Sequence, residues 1–214
     1  MTKLYDWKKS INNEELIDCV ETLKKGGIII FPTETVYGIG ANAYCVDSVR
    51  KIYEIKKRPN EKPLSILVSN IDEISKYAVI SNDIERKIIS KFMPGPITVV
   101  LKKKSGVFDY VSSGKDTIGV RIPDNNIILE ILNKFNLPIV APSANISGMP
   151  SGVDAVEIMK DFDGKVDICI DGGKAKLGEG STIVQVIDNK PVILRQGKIT
   201  LDEINECLIK KFFV

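Results

Sequence analysis

Gly27-Ile28-Ile29-Ile30-Phe31-Pro32-Thr33-Glu34-Thr35 is the stretch on which the fold turns. An unbroken β-branched and aromatic run halted by proline is the pattern of an interior strand covered on both faces, since a half-exposed strand would alternate apolar with polar residues. Before it, Leu16, Val20 and Leu23 recur at helical spacing within Glu14–Lys25, and Gly26-Gly27 supplies a stop signal. After it, Asp47 is positioned to cap a helix carrying Val49, Ile52 and Tyr53 on one face, which Pro59 should end at Arg58. Further strands are expected at 63–68, 97–102, 117–122, 139–141, 166–170, 182–187 and 192–195, and further helices at 81–92, 126–135, 154–160 and 201–210. Early strand–helix alternation and a late hairpin turning at Asp188-Asn189-Lys190 predict an α/β (α+β) fold with a mixed sheet.

The chain has 214 residues, 43% of them hydrophobic, enough for one sizeable core, and no repeat or linker divides it, so residues 1–214 are expected to form a single domain. Thirty basic and 28 acidic side chains leave a formal charge of +2, which argues against the global basic field of a dedicated nucleic-acid binder. Neither a signal-peptide stretch nor an apolar run of membrane-spanning length is present, which predicts a soluble, cytoplasmic protein. Cys19, Cys45, Cys169 and Cys207 stand singly and are expected to be reduced and mostly buried. Histidine is absent, which excludes Ser-His-Asp and Cys-His catalysis and imidazole proton shuttles. Any chemistry must run on cations, carboxylates, hydroxyls, backbone amides and a bound metal ion.

Pro32-Thr33-Glu34-Thr35 brings three oxygen-bearing side chains to the end of a buried strand, where open α/β sheets bind ligands, although a self-bonded turn reads equally well from residue chemistry alone. Gly38-Ile39-Gly40-Ala41-Asn42-Ala43 starts like a dinucleotide fingerprint but lacks the third glycine, and no G-x-x-x-x-G-K-[ST] loop occurs. A triphosphate would therefore have to be gripped by side chains. Lys56, Lys57, Arg58 and Lys62 cluster at a helix end, where they either neutralise the helix dipole or meet a ligand, and Arg121 and Arg195 each end a strand, a good place for a phosphate or carboxylate fork. Pro142-Ser143-Ala144-Asn145 and Gly178-Glu179-Gly180-Ser181 are small-residue loops that let a ligand approach the backbone, or plain loops. Lys102-Lys103-Lys104 fits a solvated loop.

Phe31–Asn42, Lys56–Pro59, Thr117–Pro123, Ala141–Asn145 and Ser181-Thr182 with Arg195-Gln196-Gly197 together resemble the YrdC/Sua5 family, in its order and spacing from about Gly26 to Gly197. The resemblance implies a twisted open mixed sheet flanked by helices, with a concave basic groove that binds ATP beside L-threonine. It implies threonylcarbamoyl-AMP synthesis from L-threonine, bicarbonate and ATP with Mg²⁺, serving N6-threonylcarbamoyladenosine formation in tRNA. On matching motif positions, Arg58, Lys62, Thr117, Ser143, Asn145, Ser151 and Arg195 are expected to meet ATP, and Thr35, Arg121, Ala141 (by its backbone) and Ser181 to meet threonine. Lys56, Arg58 and Arg121 are the expected catalytic cations, with Lys56 and Arg121 expected to be exposed in the groove. Leu67 stands where many relatives carry a histidine that touches threonine. The chain runs only about seventeen residues past Gly197, as in the short single-domain form. A tRNA threonylcarbamoyl transferase would take the product, and direct tRNA contact is open. The alternatives are a non-enzymatic RNA-binding or ribosome-maturation module using the same groove, and a carbamoyl-transfer domain like those of hydrogenase maturation factors.

Overall fold

The computed structural model describes residues 1–209. In chain order the first half comprises β1 (Lys3–Asp6), α1 (Asn13–Lys24), β2 (Ile28–Phe31), β3 (Gly38–Asn42), α2 (Val46–Lys56), β4 (Ser65–Leu67), α3 (Ile71–Tyr77), β5 (Ala78–Val79) and α4 (Asp83–Phe92). The second half comprises β6 (Ile97–Lys103), α5 (Asp109–Ser112), β7 (Thr117–Arg121), α6 (Asn126–Phe135), β8 (Ile139–Val140), α7 (Ala155–Phe162), β9 (Ile168–Asp171), β10 (Thr182–Ile187), β11 (Lys190–Arg195) and α8 (Leu201–Ile209). The expected end of the last helix, Lys210, lies outside the described residues.

One mixed sheet runs β1-β9-β2-β3-β8-β4-β7-β6-β10-β11, with β5 beside β6. Pairing is parallel at β1/β9, β9/β2, β4/β7 and β6/β10 and antiparallel elsewhere. The Ile28–Phe31 run behaves as its composition requires: Ile28 and Ile30 enter one core, Ile29 and Phe31 the other. The second core is formed by α1 and α6, whose Leu16, Cys19, Val20, Leu23, Ile128, Ile131, Leu132 and Phe135 cover the β9-β2-β3-β8 portion of one sheet face and extend to Leu67 of β4. Beyond Leu67 on that face, Ser65 of β4, Arg121 of β7, Thr98 of β6 and Ile183 of β10 line the groove. A Cβ built at Gly119 of β7 would lie 2.4 Å from Ser65 Oγ and 3.1 Å from Thr98 Cγ2, so the glycine keeps the groove floor flat.

Several elements differ from expectation for identifiable reasons. Strand β3 was not foreseen, because Gly38 and Gly40 read as loop; the Phe31 ring lies across both, so close that a Cβ at either would stand 2.9 or 2.6 Å from it. The α2 helix is capped by the Cys45 backbone, and Asp47 sits in the first turn, facing Arg50 at 3.6 Å. It ends at Lys56 and not Arg58, since Lys57 is left-handed at φ 50° and its N–H returns to Glu54 O at 3.0 Å. Lys102 closes the expected 97–102 span, but β6 takes in Lys103 as well, which is not in a solvated loop: it is bonded to Asp109 and donates to Ser112 Oγ at 2.9 Å. The hairpin expected at Asp188-Asn189 is present, with both residues at positive φ (49° and 58°), as a tight turn between twisted strands demands. All four cysteines are free, three of them buried, and no described helix is long and apolar enough to cross a membrane.

Candidate active site

The left-handed turn at Lys57 separates the expected cation cluster. Lys57 stays exposed, Arg58 turns into the groove, and Lys56 folds inward until only 2% of it is accessible. The expectation that Lys56 and Arg121 are exposed groove cations is therefore corrected: Arg121 is 7% exposed. Burying a lysine is tolerable only if the ammonium finds acceptors. Lys56 Nζ donates to Ser143 O, to Asn145 O at 2.6 Å and, more weakly, to Asn145 Oδ1 at 3.5 Å. Asn145 Oδ1 also accepts from Ser143 Oγ at 2.6 Å. Lys56 and Asn145 thus tie the 143–145 loop to the end of α2. Burial, and then the nearby Arg58 charge, push the Lys56 ammonium down to about 7.

The groove encloses about 110 Å³ and is lined by Arg58, Arg121, Ala141, Ser143, Ser181 and Arg195 among the expected site residues. A smaller cavity of about 30 Å³ adjoins it, sharing Leu67, Arg121 and Ala141 and adding Thr35. Lys56 and Asn145 stand behind this lining. Lys62 is exposed and its side chain does not line the cavity, although its carbonyl receives Arg58 Nε at 3.2 Å. Thr117 lies at the far end of β7 from Arg121, opposite Lys102, and Ser151 lies half-buried in the segment before α7; neither lines the cavity.

Arg58 donates to the carbonyls of Lys62 and Pro63 (Nη2, 3.0 Å), and Arg195 donates to Ser181 O (Nη2, 2.7 Å) and Ser181 Oγ (3.1 Å). Neither has a carboxylate partner within ion-pair distance among the described residues. Arg195 is pushed below its ordinary value by burial of its head group, then by Arg121 and Arg58, so the three guanidiniums repel one another across one space. Guanidinium holds its proton regardless, and that repulsion is available to an incoming anion.

Arg121 differs. Its Nη2 donates to Glu34 Oε1 at 2.7 Å and to Thr35 Oγ1 at 2.9 Å, and its Nε to Gly95 O at 3.2 Å. Glu34 is the partner that the sequence reading left without a role, though it sat in the strand-ending turn already singled out. Ser65 and Thr98 were also missed; Thr98 Oγ1 lies 2.9 Å from Ser181 Oγ. A lone hydroxyl inside an otherwise apolar strand, as in Ile97-Thr98-Val99, was the available signal. Among the described residues no three His, Cys, Asp or Glu side chains gather to hold a metal.

Residues 21–197 match the family model for Sua5, YciO and YrdC, described as telomere recombination. The chain belongs to this family. It is 46% identical over 209 residues to a Methanocaldococcus jannaschii protein provisionally named threonylcarbamoyl-AMP synthase, covering 96% of each. It is 36% identical to the threonylcarbamoyl-AMP synthase of Pyrococcus abyssi, covering 97% of this chain but 61% of that one. The crystal structure of that Pyrococcus protein, Sua5, complexed with L-threonine superimposes with a TM-score of 0.93. The chain therefore spans about three-fifths of the longer Pyrococcus relative. The sheet and flanking helices are those of the YrdC-like architecture.

Proposed function

We propose that the groove makes threonylcarbamoyl-AMP from L-threonine, bicarbonate and ATP, releasing pyrophosphate, and so acts as an L-threonylcarbamoyladenylate synthase for tRNA modification, with residues 1–214 working as one YrdC-like unit. The observation that carries this is the meeting of Arg58, Arg121, Ser143, Ser181 and Arg195, remote from one another in sequence, around one cavity in a chain that superimposes on a protein crystallised with L-threonine. Arg121, Thr35, the Ala141 backbone and Ser181 take the amino acid. Arg58, Arg195 and Ser143 take the triphosphate, with Lys62, Thr117 and Ser151 at its periphery. Lys56 and Asn145 contribute by holding the loop that presents Ser143.

The threonine amine, once it has lost a proton, attacks bicarbonate carbon to give a carbamate and water. A carbamate oxygen then forms a bond to the α-phosphorus while the bond to pyrophosphate breaks. Neither step requires imidazole. The main demand is to stabilise negative charge as it moves to the leaving group, and preorganised donors such as Arg58 and Arg195 meet it; one such donor is typically worth about 10²- to 10³-fold in rate. The resemblance implies Mg²⁺ as companion of the nucleotide. Glu34, the carboxylate bonded to a groove arginine, is committed to that Arg121, so among the described residues the side chains do not build a cage for the ion, and no step is assigned to it. A tRNA threonylcarbamoyl transferase would consume the labile adenylate.

Pyrophosphate release from ATP, with threonine and bicarbonate omitted in turn, tests the reading. Release is expected only with all three present; release independent of threonine would overturn it.

A further inference from the structure

Glu34 has one carboxylate oxygen on Arg121 and one on nothing. Oε1 accepts the 2.7 Å bond, while Oε2 is sealed from solvent and has no hydrogen-bond partner among the described residues. Such an oxygen is costly, so its place beside Arg121 asks for a reason beyond packing. The side chain cannot easily swing away to relieve it. The backbone around it is clamped, with Leu177 N–H donating to Glu34 O and Gly178 N–H donating to Thr35 O, each at 2.9 Å. Arg121 Nη2 is consumed by Glu34 and Thr35 and Nε by Gly95, which leaves Nη1 as the guanidinium nitrogen without a protein partner among the described residues. Arg121 lines both cavities, whereas Glu34 lines neither.

We propose that Glu34 is a positioning residue that sets the specificity of the amino-acid end of the groove: by partly offsetting the Arg121 charge from behind, it makes that end favour a net-neutral zwitterion over a simple carboxylate anion. This rests on the reading of the groove as an L-threonine site. Without Glu34, Arg121 would add a third unbalanced positive charge to those of Arg58 and Arg195, and any small anion would gain from entering. With it, a carboxylate on Nη1 gains the fork, while the negative potential of the buried carboxylate is offset only if the ligand also carries an ammonium. The charge of Glu34 is felt there because Glu34 and Arg121 are themselves buried.

Isothermal titration calorimetry of the full chain with L-threonine and with (R)-3-hydroxybutyrate, the same carboxylate and hydroxyl without the amine, tests this. The wild-type protein should bind threonine at least about thirtyfold more tightly; near-equal binding would overturn the inference. Glu34→Gln, which keeps an acceptor for Arg121 but removes the charge, should narrow that ratio about tenfold, raising the KM for threonine and not that for ATP. Glu34→Asp, which keeps the charge, should restore most of the ratio. A folded Glu34→Gln protein, with an intact cooperative thermal transition, that retains the wild-type ratio would overturn the inference. Should that variant not fold, the wild-type comparison decides. Failure of the wild-type protein to bind threonine at all would instead count against the functional reading itself.

Discussion

At one end of the groove Arg121 donates to a buried carboxylate, whereas at the other Arg58 and Arg195 donate only to carbonyl and hydroxyl oxygens. The residue type is the same, but the physics differs. A guanidinium held by neutral acceptors keeps its full charge for a ligand, while one held by a carboxylate contributes direction and a weakened field. The first arrangement suits a polyanion such as a triphosphate, and the second suits a small molecule that carries both signs.

Removing the paired arginine separates the two ends most strongly. Arg121→Ala leaves Glu34 buried and unpaired and should cost about 3–5 kcal/mol of stability, measured by urea unfolding. The double replacement Glu34→Gln with Arg121→Met should recover much of that loss. A loss under about 1 kcal/mol for Arg121→Ala would mean that the pair is not effectively buried. At the other end, Arg195→Ala should lower kcat/KM for ATP by about 10²- to 10³-fold in a pyrophosphate-release assay. Its stability should shift by no more than about 1 kcal/mol, since Arg195 is itself exposed and buried Ser181 keeps Thr98 Oγ1 as a partner.

Lys56 supports the polyanion end from behind. Lys56→Met strands the Ser143 and Asn145 carbonyls and should cost about 2–3 kcal/mol in urea unfolding, with activity falling as the loop loosens. A smaller effect concerns pH. Because burial lowers the folded-state value of Lys56 to about 7, the unfolded chain binds more protons between that point and the ordinary lysine value. Stability should therefore rise with pH across that window and lose this contribution as pH falls through 7. The wild-type-minus-Lys56→Met difference should grow by less than about 1.4 kcal/mol per pH unit, because the three acceptor oxygens favour the ammonium. A flat difference would show that those oxygens offset the burial fully.

Much of the fold was legible because burial on both faces leaves an unmistakable composition. Ile28–Phe31 had to be an interior strand, and α6 and β10 occupy the expected spans 126–135 and 182–187. Strands β1 and β3 were not legible, one being a short polar edge and the other relying on the Phe31 ring to cover glycines that read as loop. In the site, Arg58, Arg121, Ser143, Ser181 and Arg195 line one cavity, and their electrostatic states were not legible. Whether a cation faces solvent or a carbonyl depends on where a helix ends, and one left-handed residue, Lys57, moved Lys56 from the groove to the loop behind it.

Residue identity alone determined that this protein works without imidazole, that a strand buried on both faces lies at its centre, and that cations rather than a phosphate-binding loop would grip any nucleotide. Tertiary structure decided which of those cations keep their charge. Pairing between Glu34 and Arg121 spans 87 positions of the chain, and a contact of that separation is set by sheet order and loop clamping, which no local pattern of residues encodes.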